Sequence, residues 1–213
     1  MQRTMAEQMA ALFKAPPASD DLATFRPGPG FARLPIRFDI DKLRQALDQV
    51  LAIANYDGEG LYAIPLTRKP GEESSTTGQH NLSGRYWIRP DASYREFARE
   101  GPVEEHRFTE FVPDYDGTYL RHVYDELSRH VRIGRMRLLK KPPFGANSFH
   151  RDPEARLHIP IHTNPGAVMV INHHCTHMPA DGSVYFTDTR AYHTAVNGGE
   201  HDRVHVVAAL AEA

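Results

Sequence analysis

Two short segments in the last third of the chain alternate between basic and branched apolar side chains. Residues 156–162 (RLHIPIH) place one arginine and two histidines on one face, and a leucine and two isoleucines on the other. Residues 203–208 (RVHVVA) repeat the pattern, with Arg203 and His205 on one face and valines on the other. Because successive side chains of a strand point to opposite faces, each segment predicts a strand with one basic and one apolar face. Such strands suit a barrel whose interior holds a small charged ligand.

The tripeptide His150-Arg151-Asp152 lies just before the first of these segments and offers metal ligands. In an extended chain His150 and Asp152 project to the same side, so both can converge on one point. His193, forty-one residues after Asp152, can add a second imidazole from another strand. Two histidines and one carboxylate form the ligand set that holds Fe(II) on one face and leaves the other positions open. We therefore predict His150, Asp152 and His193 as metal ligands and as the catalytic residues.

A purely structural interpretation of these residues stays open. The two histidines can be ordinary buried side chains, and Asp152 is followed by Pro153, a pair that favours turns. Arg203 can form a surface salt bridge, although an arginine facing inward from a valine-rich strand needs an anionic partner. Such an arginine can grip a carboxylate through two parallel charge-assisted hydrogen bonds.

The predicted elements change character along the chain. An amphipathic helix over residues 3–14 precedes an irregular connection, rich in proline and glycine, that extends to residue 35. A helix with an apolar stripe from Leu43 to Ala54 is expected to face a core. Strands are predicted at 36–40, 60–67, 84–89, 133–140, 154–163, 167–172, 183–188 and 203–210, and further helices at 93–100 and 117–131. Helices early and strands late, without a βαβ rhythm, indicate an α+β chain.

The composition narrows the class of protein. A chain of 213 residues predicts one domain over 1–213, and a net charge of −2 does not indicate nucleic acid or an anionic membrane surface as a partner. Cys175 is the only cysteine, which fits a reducing, cytoplasmic setting. No apolar run approaches the roughly 20 residues of a membrane span. Glu7 interrupts the apolar core that an export signal needs.

Two polar clusters are interpreted as ordinary structure. Residues 172–177 (NHHCTH) contain three histidines and a cysteine but lack the spacing of a zinc site, so we predict a polar hairpin there. Lys140 and Lys141 are interpreted as a solvated pair.

The segment from Arg137 to Val207 resembles the aspartyl/asparaginyl β-hydroxylase family of Fe(II)- and 2-oxoglutarate-dependent oxygenases. Within that family it is most similar in pattern to the small bacterial proline cis-hydroxylases. The residues that carry the resemblance are His150-Arg151-Asp152, Arg156-Leu157-His158, Thr163-Asn164-Pro165, Gly182 to Asp188 (GSVYFTD), His193 to Asn197 (HTAVN) and Arg203. A serine that some relatives place near Leu138 or Leu139 is absent here.

The resemblance implies a double-stranded β-helix, the jelly-roll or cupin-like fold, with N-terminal helices packed on it. In this division residues 1–35 hold the N-terminal helix and connection, 36–131 hold supporting helices and strands, and 132–213 form the core with the metal site. The fold class predicted for the chain is therefore α+β with a jelly-roll core.

The resemblance also implies the chemistry. Fe(II) is the implied cofactor and 2-oxoglutarate the co-substrate, with Arg203 binding its far carboxylate and Arg156, His158 and His205 at the other co-substrate positions. The implied reaction uses molecular oxygen to hydroxylate an unactivated C–H bond of an amino acid, free or within a peptide. No substrate-binding residue and no oligomeric state are predicted.

Two other functions and one further role stay open at this stage. A non-catalytic jelly-roll module can use the same Arg and His residues to bind a small anion. A zinc hydrolase needs a general base beside the metal, for which Glu154 is the nearby candidate. The polar stretch 69–83 is predicted to be a mobile lid over the site. A solvated hairpin tip without a role is the alternative for that stretch.

Overall fold

A computed structural model describes residues 24–58, 62–77 and 103–211, and the backbone alone of 86–88 and 96–98. The predicted helix over 3–14 lies outside the described residues. No helix within the described residues is long and apolar enough to cross a membrane.

The described chain contains two α-helices, three single 3-10 turns and fifteen short strands. The helices are α1 (Ile40–Leu51) and α2 (Tyr119–Ser128), and the 3-10 turns are Glu73–Thr76, Glu105–Arg107 and Pro113–Tyr115. The strands are β1 (Phe31–Arg37), β2 (Tyr62–Pro65), β3 (Thr67–Arg68), β4 (Tyr86–Ile88), β5 (Glu96–Ala98), β6 (Glu110–Phe111), β7 (Ile133–Lys141), β8 (Gly145–Ala146), β9 (His150–Arg151), β10 (Arg156–His162), β11 (Ala167–Ile171), β12 (His174–His177), β13 (Ser183–Thr187), β14 (His193–Asn197) and β15 (Arg203–Leu210).

Two antiparallel sheets form the body of the fold. The first has the strand order β1-β13-β10-β15-β7-β2, and the second has the order β12-β11-β14-β9-β4-β5, with β8 paired to β14. From β7 onward the chain alternates between the two sheets. Strands β7, β10, β13 and β15 lie in the first sheet, and β9, β11, β12 and β14 lie in the second. This is the strand arrangement of a jelly roll, and the predicted double-stranded β-helix is confirmed.

The apolar faces of β10 and β15 pack against the helices. Asp39 caps α1 by accepting hydrogen bonds from the backbone N–H groups of Asp41 and Lys42, at 3.0 and 3.2 Å. The buried stripes of α1 and α2 join the apolar strand residues in one core cluster: Leu43, Ala46, Leu47, Val50, Leu120, Val123, Leu127, Leu157, Ile159, Ile161, Val204 and Val206. Since the apolar faces are used in this way, the basic faces of the same strands turn into the space between the two sheets.

Two predicted elements are wrong. The connection predicted as irregular to residue 35 already contains β1, which begins at Phe31 rather than at residue 36. This strand lies at the edge of its sheet and pairs only with β13, so Pro35 removes no ladder hydrogen bond that the sheet needs. The predicted helix over 93–100 contains β5 instead, whose backbone pairs with β4; pairing to a neighbouring strand overrides helix propensity there.

The polar hairpin predicted at 172–177 is confirmed. Strands β11 and β12 pair directly. The turn residues Asn172 and His173 both have positive φ, 47° and 66°, as in β-hairpins with a two-residue loop. His177 Nδ1 lies 2.8 Å from the Ala167 carbonyl oxygen, and His174 Nε2 lies 2.9 Å from that of Arg26. These ring nitrogens therefore bond to the backbone.

The first part of the stretch 69–83 has regular local structure. The Lys69 N–H donates to Ser75 Oγ at 2.9 Å, and the Gly71 N–H donates to Glu110 Oε2 at 3.0 Å. Residues 78–83 lie outside the described residues, so the lid stays a prediction.

Gly182 provides a test of how the start of β13 packs against Phe38. Its φ is +88°, its carbonyl accepts the Phe38 N–H at 2.9 Å, and a Cβ added there would overlap the Phe38 carbonyl oxygen. Gly71 is the matched control, because its φ of +73° is similar but a Cβ there meets nothing within 4 Å. Gly71→Ala should cost about 1 kcal/mol for the positive φ alone. Gly182→Ala should cost roughly 1–3 kcal/mol more for the overlap. Urea unfolding of both variants measures this difference, and equal losses would contradict the packing described.

Candidate metal centre and cationic cleft

The three predicted metal ligands meet between the sheets. His150 in β9 and His193 in β14 are direct cross-strand partners. Asp152 follows β9, and its N–H donates to the Thr189 carbonyl at 2.8 Å. The Nε2 atoms of His150 and His193 lie 3.5 and 3.6 Å from the two carboxylate oxygens of Asp152. All three residues are buried, and their ligand atoms lie within 4.8 Å of one another.

Backbone contacts determine which ring nitrogens face the site. His150 Nδ1 donates to the Ser148 carbonyl at 2.7 Å, and His193 Nδ1 donates to the Ala191 carbonyl at 3.0 Å. Since a carbonyl only accepts, each Nδ1 carries the hydrogen and each Nε2 presents its lone pair toward Asp152. Burial also lowers the pKa of His150, and it lowers the pKa of His193 to about 4. Both rings are thus neutral ligands at neutral pH.

The carboxylate of Asp152 is buried beside the two histidine rings. Its oxygens meet no hydrogen-bond geometry within the described residues, and its ion pair is with Arg156, 2.9 Å from Oδ2. The two imidazole lone pairs nevertheless face carboxylate oxygens, acceptor against acceptor, and a metal cation between them would be a ligand partner for all three. The group therefore fits a divalent metal, and its two-histidine, one-carboxylate composition fits Fe(II).

Arg156 contacts the carboxylate of the metal-site group. Its Nη2 is 2.9 Å from Asp152 Oδ2 and 3.2 Å from Glu154 Oε1. Burial raises the pKa of Glu154 to about 7, although Arg156 acts in the opposite direction. The arginine thus pairs with the metal-site carboxylate and also lines the cleft described next.

A partly enclosed cleft runs between the two sheets, and the roughly 570 Å³ of empty space there includes the solvent at its mouth. Strands β7, β10 and β15 of the first sheet line it on one side, and β11 and β14 of the second sheet line it on the other. Of the predicted site residues it contains His150, His193, Arg156, His158 and Arg203. The two metal-site histidines and the predicted co-substrate arginine therefore share one cavity, with Asp152 behind the histidines.

Arg203 is buried in this cleft without an acidic partner among the described residues. Its Nη2 donates to His205 Nδ1 at 2.9 Å, and His205 Nδ1 lies 3.4 Å from His158 Nδ1. Burial lowers the pKa of Arg203 to about 10, and burial together with Arg203 lowers the pKa of His158 and His205 well below the usual histidine value. Both histidines are neutral, so an anion is what this end of the cleft lacks. His205 contacts Arg203 and is not among the side chains that line the cleft.

The interpretation of Lys140 and Lys141 as a solvated pair is wrong for Lys141, which is 2% exposed and lines the cleft. Neighbouring residues of a strand face opposite sides. The ammonium of Lys140 accordingly lies over the rings of Tyr56 and Tyr62, 5.0 and 4.9 Å from their centroids, although the residue also contributes to the cleft lining. The alternation of basic residues at 135, 137 and 141 in β7 carries the same signal as β10 and β15 and could have identified Lys141.

Glu105 forms the other buried charge cluster and had no sequence signal. Its carboxylate lies 3.0 Å from Arg135 Nη1 and 3.8 Å from Arg137 Nη2. Burial lowers the pKa of Arg137, which also lines the cleft, to about 9. Glu105 comes from a single 3-10 turn distant in sequence from β7, so only the folded chain brings these residues together.

Two asparagines of the family-like motifs have structural contacts. Asn164 Nδ2 donates to Asn197 Oδ1 at 2.9 Å, and Asn197 Nδ2 donates to the Lys141 carbonyl at 3.0 Å. They connect the ends of β10, β14 and β7 at one end of the cleft. Their place in the motif is explained by this connection.

Comparisons with known proteins give only distant neighbours. No protein-family model and no curated protein matches the chain. An oxidoreductase of the 2OG-Fe(II) oxygenase family from Burkholderia pseudomallei is 16% identical over 99% of this chain and 91% of its own, with a TM-score of 0.48. A prolyl-4-hydroxylase from Pseudomonas putida is 11% identical over 91% of this chain and 96% of its own, with a TM-score of 0.45. A cupin domain from Bordetella pertussis is 17% identical over 37% of this chain and 81% of its own, with a TM-score of 0.32. Similarity at this level carries no conclusion about activity.

The metal centre predicts which histidines matter for metal binding. Purified protein should bind one Fe(II) per chain without oxygen, and His150→Ala or His193→Ala should abolish this binding because each removes one of three ligands. His174→Ala is the control, since that histidine contacts the backbone of Arg26 outside the site. Metal content by mass spectrometry after desalting measures the outcome. Full iron content in the His193→Ala protein would show that the ligand set is misassigned.

Proposed function

We propose that this protein is an Fe(II)- and 2-oxoglutarate-dependent dioxygenase that hydroxylates an unactivated C–H bond of an amino acid, free or within a peptide. The observation that carries the proposal is one cleft with two features. It contains a neutral histidine pair facing a buried carboxylate, and it contains Arg203 without an acidic partner among the described residues. The amino-acid substrate class comes from the family resemblance of the sequence.

The charges of the cleft support a dianionic co-substrate. A cation held by His150, His193 and Asp152 attracts a chelating anion at one place, and Arg203 needs an anion at another. A 2-oxo acid with a second carboxylate supplies the chelating anion at the metal and the anion at Arg203. The neutral state of His158, which lines the cleft, suits this role, because a neutral ring can donate to an anion without adding further buried charge.

In this mechanism the chain holds the metal, orients the co-substrate and keeps water out of the cleft. His150, Asp152 and His193 would hold the iron, and Arg156 keeps the Asp152 carboxylate in place through its 2.9 Å contact. Arg203 would bind the far carboxylate of 2-oxoglutarate. The apolar side chains of the cleft (Leu139, Met169, Ala195 and Val207) limit the access of water. When bound, iron and 2-oxoglutarate supply the oxidising power: one atom of dioxygen enters the substrate, the other enters succinate, and carbon dioxide leaves.

Neither of the two rival functions accounts for the arrangement of the acidic side chains at the site. A zinc hydrolase needs a general base at the metal, but the Glu154 carboxylate pairs with Arg156 and the residue does not line the described cleft. A non-catalytic anion-binding module would use Arg203 and the histidines, but it does not explain why the Asp152 carboxylate faces the Nε2 lone pairs of His150 and His193.

A substrate screen tests the proposal. Iron-loaded protein with 2-oxoglutarate and oxygen is incubated with a panel of amino acids and short peptides, and mass spectrometry detects the gain of one oxygen. We expect at least one substrate whose hydroxylated product matches succinate in yield. Activity that persists after the metal is stripped, or that appears with zinc alone, would contradict the proposal.

Arg203 gives a quantitative prediction. Arg203→Met should raise the 2-oxoglutarate concentration needed for half-maximal turnover by about tenfold or more, since hydrogen bonds to charged groups are worth roughly 1.5–3 kcal/mol each. The half-saturating concentration of the hydroxylated substrate should change little. Arg37→Met is the control, because the Arg37 side chain is 69% exposed on β1. An unchanged 2-oxoglutarate requirement with weaker amino-acid binding would reassign Arg203 to the substrate.

A further inference from the structure

Lys141 and Arg203 lie side by side in the cleft. They are direct register partners in the antiparallel pair of β7 and β15, and both side chains are buried and line the cavity. Directly opposite residues of such a pair have Cβ atoms roughly 5 Å apart on the same face. Two cations are therefore held close together away from water.

The described residues provide no carboxylate for this pair. Of the two fully buried acids, Glu105 contacts Arg135 and Arg137, and Asp152 contacts Arg156. The ammonium of Lys141 donates to the neutral Asn147 Oδ1, while Arg203 donates to the neutral His205. Burial and the nearby Arg203 lower the pKa of Lys141 to about 8.

A purely structural role does not explain the charge of Lys141. The hydrogen bond to Asn147 can be made by any donor, and a neutral donor would avoid both the desolvation of an ammonium and its repulsion from Arg203. Two adjacent buried cations become favourable when one anion with two oxygen atoms lies between them.

We propose that Lys141 is a second anchor for the far carboxylate of the co-substrate, so that Lys141 and Arg203 bind this group together. The inference rests on the proposed function, because it takes 2-oxoglutarate as the dicarboxylate. It assigns a co-substrate-binding role to a lysine that directly precedes Pro142 at the end of β7. Arg203 supplies a planar fork, and Lys141 supplies a compact point charge to the same group.

The test compares two ligands that differ only in that carboxylate. Calorimetry without oxygen measures the binding of 2-oxoglutarate and of 2-oxopentanoate, which ends in a methyl group, to the Mn(II)-loaded protein. Lys141→Met should weaken 2-oxoglutarate binding by about tenfold or more and 2-oxopentanoate binding by less than about twofold. Lys42→Met is the control, because this lysine of α1 does not line the cleft and its side chain is 61% exposed. It should leave both affinities unchanged.

Each outcome separates the two hypotheses. Equal weakening of both ligands in Lys141→Met, or an unchanged preference for 2-oxoglutarate, overturns the role of Lys141 and leaves the proposed function standing. Wild-type protein that binds neither ligand overturns the proposed function itself. If Lys141→Met does not fold, Lys141→Gln, which retains a donor for Asn147, carries the same comparison. Lys141→Arg, which keeps the charge, should restore most of the preference for 2-oxoglutarate.

Discussion

Buried positive charge between the two sheets is the constraint on which the rest of this structure depends. A charge buried without a partner is costly, so its position indicates where a partner must be. The described residues include five buried cationic side chains and two buried carboxylates: Arg135, Arg137, Lys141, Arg156 and Arg203, against Glu105 and Asp152. The excess arises because β7, β10 and β15 turn their apolar faces to the helices and their basic faces inward.

The buried charges divide into a part that is compensated within the protein and a part that is not. Glu105 pairs with two arginines of β7, and Asp152 pairs with Arg156, so this part orders the site before any ligand arrives. Arg203 and Lys141 face only neutral partners among the described residues. Under the proposed function, 2-oxoglutarate offers a chelating end to the metal and a carboxylate to this pair. One dianion can therefore bind the metal and neutralise the Arg203 and Lys141 pair.

The sequence was informative where short-range periodicity controls the structure. The alternation in 156–162 and 203–208 predicted strands with a basic inner face, and the spacing of His150 and Asp152 allowed both to face one point. The same reasoning applied to β7 would have placed Lys141 inside, and the interpretation as a lysine pair obscured it. Glu105 and β5 could not be predicted, because an isolated turn and a strand of three residues owe their places to distant partners. The two-histidine, one-carboxylate ligand set pointed to iron, and the resemblance pointed to 2-oxoglutarate.

The fate of dioxygen tests the central claim most directly. Iron-loaded protein and 2-oxoglutarate are exposed to isotopically heavy dioxygen, and the succinate formed is analysed by mass spectrometry. This does not require the substrate to be identified in advance, since slow decarboxylation without it is sufficient for detection. The account predicts iron-dependent succinate that carries one heavy oxygen atom. Succinate without the label, or none above that of the His193→Ala protein, would contradict it.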